Sequence, residues 1–208
     1  MGDTHSRIMA AAAKKQLAPL GVRQQGRSRL WLADRGSWLN VVEFTPRRWS
    51  KSVSLMNAAH WLWVGAGFMS LNEAVPSQLH VEFETEEQFK GAAREIAQAA
   101  QVNACLMDER FPSFQAIAEF VIQRAESSPE RLGPSWWGYE AGIAAGLLGR
   151  VDESSRFLRG LTDDRVVNRA ANLLPLIGRL DAFRSAVNIN VAEERARLKL
   201  VALEQPAF

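Results

Sequence analysis

This 208-residue chain has one cysteine, Cys105, one tyrosine and three histidines. A lone cysteine excludes an internal disulfide, and a reducing, cytoplasmic setting follows as the expectation. No apolar run reaches the about 18 residues that a membrane-spanning helix needs. The longest candidates, 56–69 and 141–148, are short and broken by His60, Gly65, Gly67 and Gly146. The opening MGDTHSRIMAAAAKK lacks the basic start, apolar core and cleavage site of a secretory leader. No Walker lysine and no separated carboxylate pair with an ordered lysine is present, so neither a phosphate-binding loop nor a metal-dependent nuclease is indicated.

What the chain does have is an ordinary globular composition, 47% hydrophobic and 23% charged, with an uneven charge layout. Residues 1–52 carry ten Lys or Arg against three acids, while the remainder carries 15 against 20. A basic region of this kind marks a surface for an anionic partner, or for the acidic half of the same chain.

Residues 5–19 read as a helix with Ile8, Ala11, Ala12 and Leu17 inward, ended by Pro19-Leu20-Gly21. The stretch WLADRGSWLNVVEF, residues 31–44, reads as strand, tight turn, strand, and Gly36 supplies the positive φ that such a turn wants. Residues 51–64 form a third strand, apolar on both faces in its second half, which suits a covered central position. Residues 79–84 alternate as a fourth. From Thr85, which caps a helix with Gln88, the pattern is helical. Ser113 caps the next helix, residues 129–135 link, and 136–148 form a small-residue helix ended by Gly149. Asp152 is placed to cap another, and 164–183 and 189–203 give two more, the first split by Pro175. The fold class is α+β: a leading helix, a small antiparallel sheet of about four strands, then an all-helical half. The expected domains are 1–110 and 111–208, with one shared core as the alternative. Residues 137–153 resemble a single tetratricopeptide-like helical hairpin, without a second copy at the expected period.

Most candidate sites have a plain structural reading. Asp34 and Ser37 are turn residues whose side chains bond nearby backbone. His80, Glu82 and Glu84 share a strand face and read as its wet side, and His60 reads as a core histidine. Cys105 reads as a small buried hydrophobe. Gly65-Ala66-Gly67 lacks the third glycine of a dinucleotide fingerprint. Gly138, Gly142 and Gly146 fall on one helical face and imply a close neighbour. The functional candidate is a basic strip: Arg23, Arg27 and Arg29 at one strand and its entry, then Arg47, Arg48, Trp49 and Lys51 in a loop. Trp136 and Trp137 lie beside a linker and are added as partner anchors, because Trp and Arg are favoured at interfaces. No catalytic residues, metal or cofactor is assigned. The expected activity is binding, first of a protein partner of acidic character, with nucleic acid as the alternative.

Several of these residues carry a resemblance. Leu20-Gly21-Val22-Arg23 ends the leading helix, Gly26 follows, Trp31 sits in the first strand, and Trp38–Phe44 with 51–64 complete the pattern. Over residues 5–100 this resembles a bacterial family of unknown function, the domain family numbered four-three-zero-four. Val22 replaces the family's phenylalanine, and Thr45-Pro46 stands where its glutamine would be. The resemblance implies an α+β N-terminal half and no catalytic residue. By association with small bacterial families of this kind, it also implies a toxin-neutralising immunity or defence role.

Overall fold

The structure is a computed structural model that describes residues 4–47, 52–75, 77, 79–133 and 135–208. The chain divides into two units. Unit 1 comprises residues 1–61 and 68–110, and unit 2 comprises 62–67 and 111–208. The class is α+β, and no helix among the described residues is long and apolar enough to cross a membrane.

In unit 1, α1 (Thr4–Leu17) packs along the long α2 (Glu86–Arg110). Among the described residues the sheet has six strands: β1 (Arg23–Gln24), β2 (Leu30–Asp34), β3 (Trp38–Arg47), β4 (Ser52–Trp61), β5 (Glu73–Val75) and β6 (His80–Glu82). All pairings are antiparallel. The β3–β4 ladder runs in register from Trp38↔Trp61 to Arg47↔Ser52. β5 pairs with the far half of β4 and β6 with its near half. The two strands beyond the four expected are β1 and β5, with two and three residues, too short to display alternation. The expected third strand stops at Trp61, and Leu62–Val64 turn into a 3-10 helix.

The β2–β3 turn is built as its residues dictate. Asp34 Oδ1 accepts the Gly36 N–H at 2.9 Å, and Gly36 has φ 79°. Both faces of β3 are buried from Trp38 to Val42. On one face Trp31, Ala33, Val42, Phe44, Val53 and Leu55 join Met9, Ala13, Leu17, Phe89, Ala93 and Ile96 in a single core. The inward stripe of α1 is therefore His5, Met9, Ala13 and Leu17. Of the stripe read from the sequence, Leu17 is buried, Ile8 and Ala12 pack half-buried at the edge of the core, and Ala11 is exposed. In an alanine-rich helix both stripes satisfy the spacing, and Met9 supplies the larger side chain for the core.

Two buried asparagines interrupt this apolar face. Asn40 Nδ2 donates to the Ala104 carbonyl at 2.8 Å, and Asn57 Nδ2 to the Ala100 carbonyl at 3.2 Å. The acceptors lie one turn apart on α2, and the donors lie on adjacent strands. Asp108 completes the seam: it receives Asn40 Nδ2 at 3.1 Å and a two-pronged contact from Arg35 at 2.9 and 2.6 Å. Arg35 also donates to the Leu20 carbonyl, so the hairpin turn is tied to the ends of both helices. The hydrogen bond to Asp108 raises the guanidinium pKa further above its ordinary value.

Unit 2 contains α3 (Phe114–Glu126), α4 (Trp136–Leu147), α5 (Val151–Arg159), α6 (Asp164–Leu173) and α7 (Leu180–Arg197). Ser113 caps α3 through the Ala116 N–H. α4 is buried nearly throughout, and its glycine face seats three neighbours. A Cβ on Gly142 would stand 2.5 Å from Leu158 Cδ2. One on Gly138 would strike the Leu132 carbonyl, and one on Gly146 the Phe183 ring. Ser154 Oγ donates to the Gly142 carbonyl at 2.8 Å and closes the α4–α5 hairpin. Two sequence readings need correction. Asp152 lies in the first turn of α5, where its charge favours the helix dipole, while Arg150 holds the cap position. Pro175 sits in a 3-10 turn that ends α6, and α7 then runs unbroken through residues 184–188, because nothing in Ser185-Ala186-Val187 stops a helix.

Residues 62–67 are part of this helical unit in every contact they make there. Trp63 is fully buried and meets Phe114 edge-on at 5.8 Å. Asn190 donates to the Trp63 carbonyl, Arg169 to the Gly65 and Ala66 carbonyls, and the Gly67 N–H to Glu194 Oε1.

Asn57→Ala should lower unfolding stability by about 1–3 kcal/mol, the cost of removing a buried hydrogen-bonding amide. Denaturant titration followed by circular dichroism reads it, and an unchanged midpoint would remove the asparagine seam as a stabilising element. Residues 111–208 expressed alone should lack a cooperative thermal transition, since Trp63 and the backbone of 64–67 are missing from their core. A sharp transition in that fragment would show the segment to be dispensable.

Candidate binding cleft

The β1–β2 connection is short and heavily bonded. The Gln25 N–H donates to Leu30 O at 2.9 Å and the Ser28 N–H to Gln25 O at 3.1 Å. Gln24 Nε2 donates to Ser28 O, and the Leu30 N–H to Ser28 Oγ. This network holds Arg27 and Arg29 outward on a fixed frame. The first turns of α1 lie opposite and carry His5, Ser6 and Arg7. Between them is a cleft of about 370 Å³ whose remaining walls are Met9, Ala10, Gln24, Trp31, Phe44 and Val53.

The cleft has two zones. Its floor is apolar and belongs to the unit 1 core: Met9, Trp31, Phe44 and Val53 each show 3–4% of their surface. Its rim carries three guanidiniums, from Arg7, Arg27 and Arg29, all exposed. Among the described residues no carboxylate lines it. Glu43 pairs with Arg29 at 2.9 Å from beside the cleft and offsets part of one charge. His5 closes the inner end, tilted against Phe83 at 5.7 Å and edge-on to Phe89 at 6.1 Å. Net positive potential above an apolar floor suits an anionic ligand with an apolar part.

The basic strip read from the sequence is only partly assembled here. Arg27 and Arg29 reach the rim. Arg23 is exposed on β1 and does not line the cleft. Arg47 ends β3, but its side chain, like all of Arg48, Trp49 and Lys51, lies outside the described residues. Arg7 and His5 were missed as site residues. The signal was the i, i+4 spacing of His5, Met9 and Ala13, which puts Arg7 on the flank of the buried stripe.

Trp136 and Trp137 belong to unit 2 and are half-buried. The Trp137 ring has Arg124 at 4.7 Å and Arg131 at 5.0 Å from its centroid. Arg124 is held in turn by the buried Glu140 at 2.5 Å. Trp136 meets Tyr139 edge-on at 6.0 Å, with Arg169 at 5.8 Å. Burial pushes the Tyr139 phenol up to about 12. These contacts tie both tryptophans into the helical packing.

Cys105, read as buried from the sequence, is a free thiol that is only half-buried. His60 is fully buried, with Nδ1 2.8 Å from Ser70 O and 3.0 Å from Ser70 Oγ. His80, Glu82 and Glu84 are exposed, and no group of three His, Cys, Asp or Glu suited to a metal ion occurs among the described residues. The Gly67 N–H that a phosphate loop would offer is already given to Glu194.

Arg7→Ala, Arg27→Ala and Arg29→Ala combined should change unfolding stability by about 1 kcal/mol or less, because exposed charges and exposed ion pairs contribute little. A large fall in the denaturation midpoint would make these arginines part of the fold. No family model matches the chain, and it matches neither a curated protein nor a solved structure.

Proposed function

We propose that this protein acts by binding and not by catalysis, and that its ligand is an acidic surface of a partner protein. The observation that carries the reading is the cleft rim: three exposed arginines, Arg7 on α1 and Arg27 and Arg29 on the bonded β1–β2 turn, with no carboxylate among the described lining residues. Guanidiniums on a fixed frame favour planar, two-pronged contact with carboxylates. The sequence adds Arg47 at the end of β3, with Arg48, Trp49 and Lys51 following it before β4. Arg23, exposed on β1, extends the same positive region. The proposed setting is the reducing cytoplasm. A toxin-neutralising or defence role is one form such binding would take, and it rests on the family resemblance alone.

Nucleic acid is the second reading, supported by the same arginines. The two differ in salt dependence, because each phosphate contact releases counterions. The test is recovery of partners on the tagged chain from lysate of its own host, with and without nuclease, beside a variant carrying Arg7→Glu, Arg27→Glu and Arg29→Glu. One protein recovered stoichiometrically, retained after nuclease and lost by the variant, is the expected result. A catch that vanishes with nuclease would make the arginines a phosphate surface and overturn the first reading.

A further inference from the structure

The rim accounts for charge but not for the space beneath it. The cleft is about 370 Å³, the size of a small-molecule pocket and too small for a helix. Its floor joins a thioether, two aromatic rings and a branched aliphatic, from Met9, Trp31, Phe44 and Val53. Trp31 and Phe44 are each 4% exposed and lie at the bottom, so neither offers the open ring face on which a nucleobase stacks. Water in such a space gives up hydrogen bonds, and an apolar group that displaces it gains burial on several sides. An aromatic guest would meet aromatic side chains and a polarisable sulfur, both favourable contacts. The charge directly above admits carboxylates beside that guest and disfavours cationic neighbours.

We infer that the cleft seats one bulky apolar side chain, best an aromatic one, of an acidic linear segment in the partner, with flanking carboxylates on Arg7, Arg27 and Arg29. The inference rests on the proposed binding of an acidic protein surface and specifies how that surface is read. The apolar residue sets affinity through burial, and the acids set orientation and encounter rate. Ala10, half-buried on the cleft wall, is the position from which the space can be filled without touching a charge.

The test uses the full chain and an array of fluorescein-labelled acidic dodecapeptides. Their central residue is varied over glycine, leucine, phenylalanine and tryptophan between fixed glutamates, and a ten-nucleotide thymidine strand serves as comparison. Fluorescence polarisation should show affinity rising from glycine to the aromatic peptides by about tenfold or more, a gain of the size a buried anchor gives. Ala10→Trp should abolish that preference, so that the aromatic peptides bind it no more tightly than the glycine peptide does. If all four peptides bind equally and only Arg7→Ala, Arg27→Ala and Arg29→Ala weaken them, the seated side chain is refuted while the acidic-partner reading stands. If no acidic peptide binds, or the thymidine strand binds more tightly than any, both fail. Dimerisation that Ala10→Trp abolishes, seen by sedimentation, would assign the space to a second copy and overturn the inference.

Discussion

A sheet and a helix pressed together by apolar side chains can slide, because such packing has no direction. Unit 1 removes that freedom with two buried asparagines and a half-buried aspartate at their end. Asn40 and Asn57, on neighbouring strands, donate to carbonyls one helical turn apart on α2. Asp108 then binds Asn40 and Arg35 together at the end of the seam. Buried amides are costly when unpaired, so any shift of α2 by a fraction of a turn leaves at least two of them unsatisfied. The helix is locked in both translation and rotation. Since α1 packs on α2 and frames the cleft against the β1–β2 turn, the position of Arg7 opposite Arg27 and Arg29 descends from this lock.

Unit 2 reaches a unique packing by a different route. Its helices meet through absences of side chain. Gly138, Gly142 and Gly146 admit a carbonyl, a leucine and a phenylalanine ring where any Cβ would collide. The glycines cost helix stability in the unfolded-chain entropy they release. That loss is offset by close contact of α4 with α5 and α7, and the register follows because each neighbour fits one glycine only. Polar specificity in one unit and steric specificity in the other give the same outcome from unlike sequences.

Much of this was legible in the residues. Strong local signals survived: Asp34 and Gly36 at the hairpin, Thr85 and Ser113 at helix starts, and the glycine face of α4. The misses have physical causes. β1 and β5 are too short for a period to show. The α1 stripe was misassigned because alanine hardly distinguishes a buried from an exposed position. Asp152 is a good cap by type, yet two residues too far along, so Arg150 took the place by backbone geometry alone. The cleft could not be foreseen because its two walls are α1 and the β1–β2 turn, some twenty residues apart, joined only through tertiary packing. Arg7 was visible as charge, and its partners were not. Only the tryptophans beside loops, Trp49, Trp136 and Trp137, were read as anchors. Trp31, Trp38, Trp61 and Trp63 are core, and Trp136 and Trp137 are half-buried against guanidiniums.

The six residues 62–67 bear on heredity as well as on folding. They are encoded between β4 and β5, in the middle of the reading frame for unit 1, yet their side chains and backbone complete the core of unit 2. A recombination event that carried residues 111–208 to another gene would move the helices without Trp63 and would deliver an unfinished cassette. A deletion that trimmed the same hexapeptide would look, in the gene, like a harmless shortening of a loop. The two units are therefore interleaved in the gene, and no single cut in the reading frame separates one from the other whole.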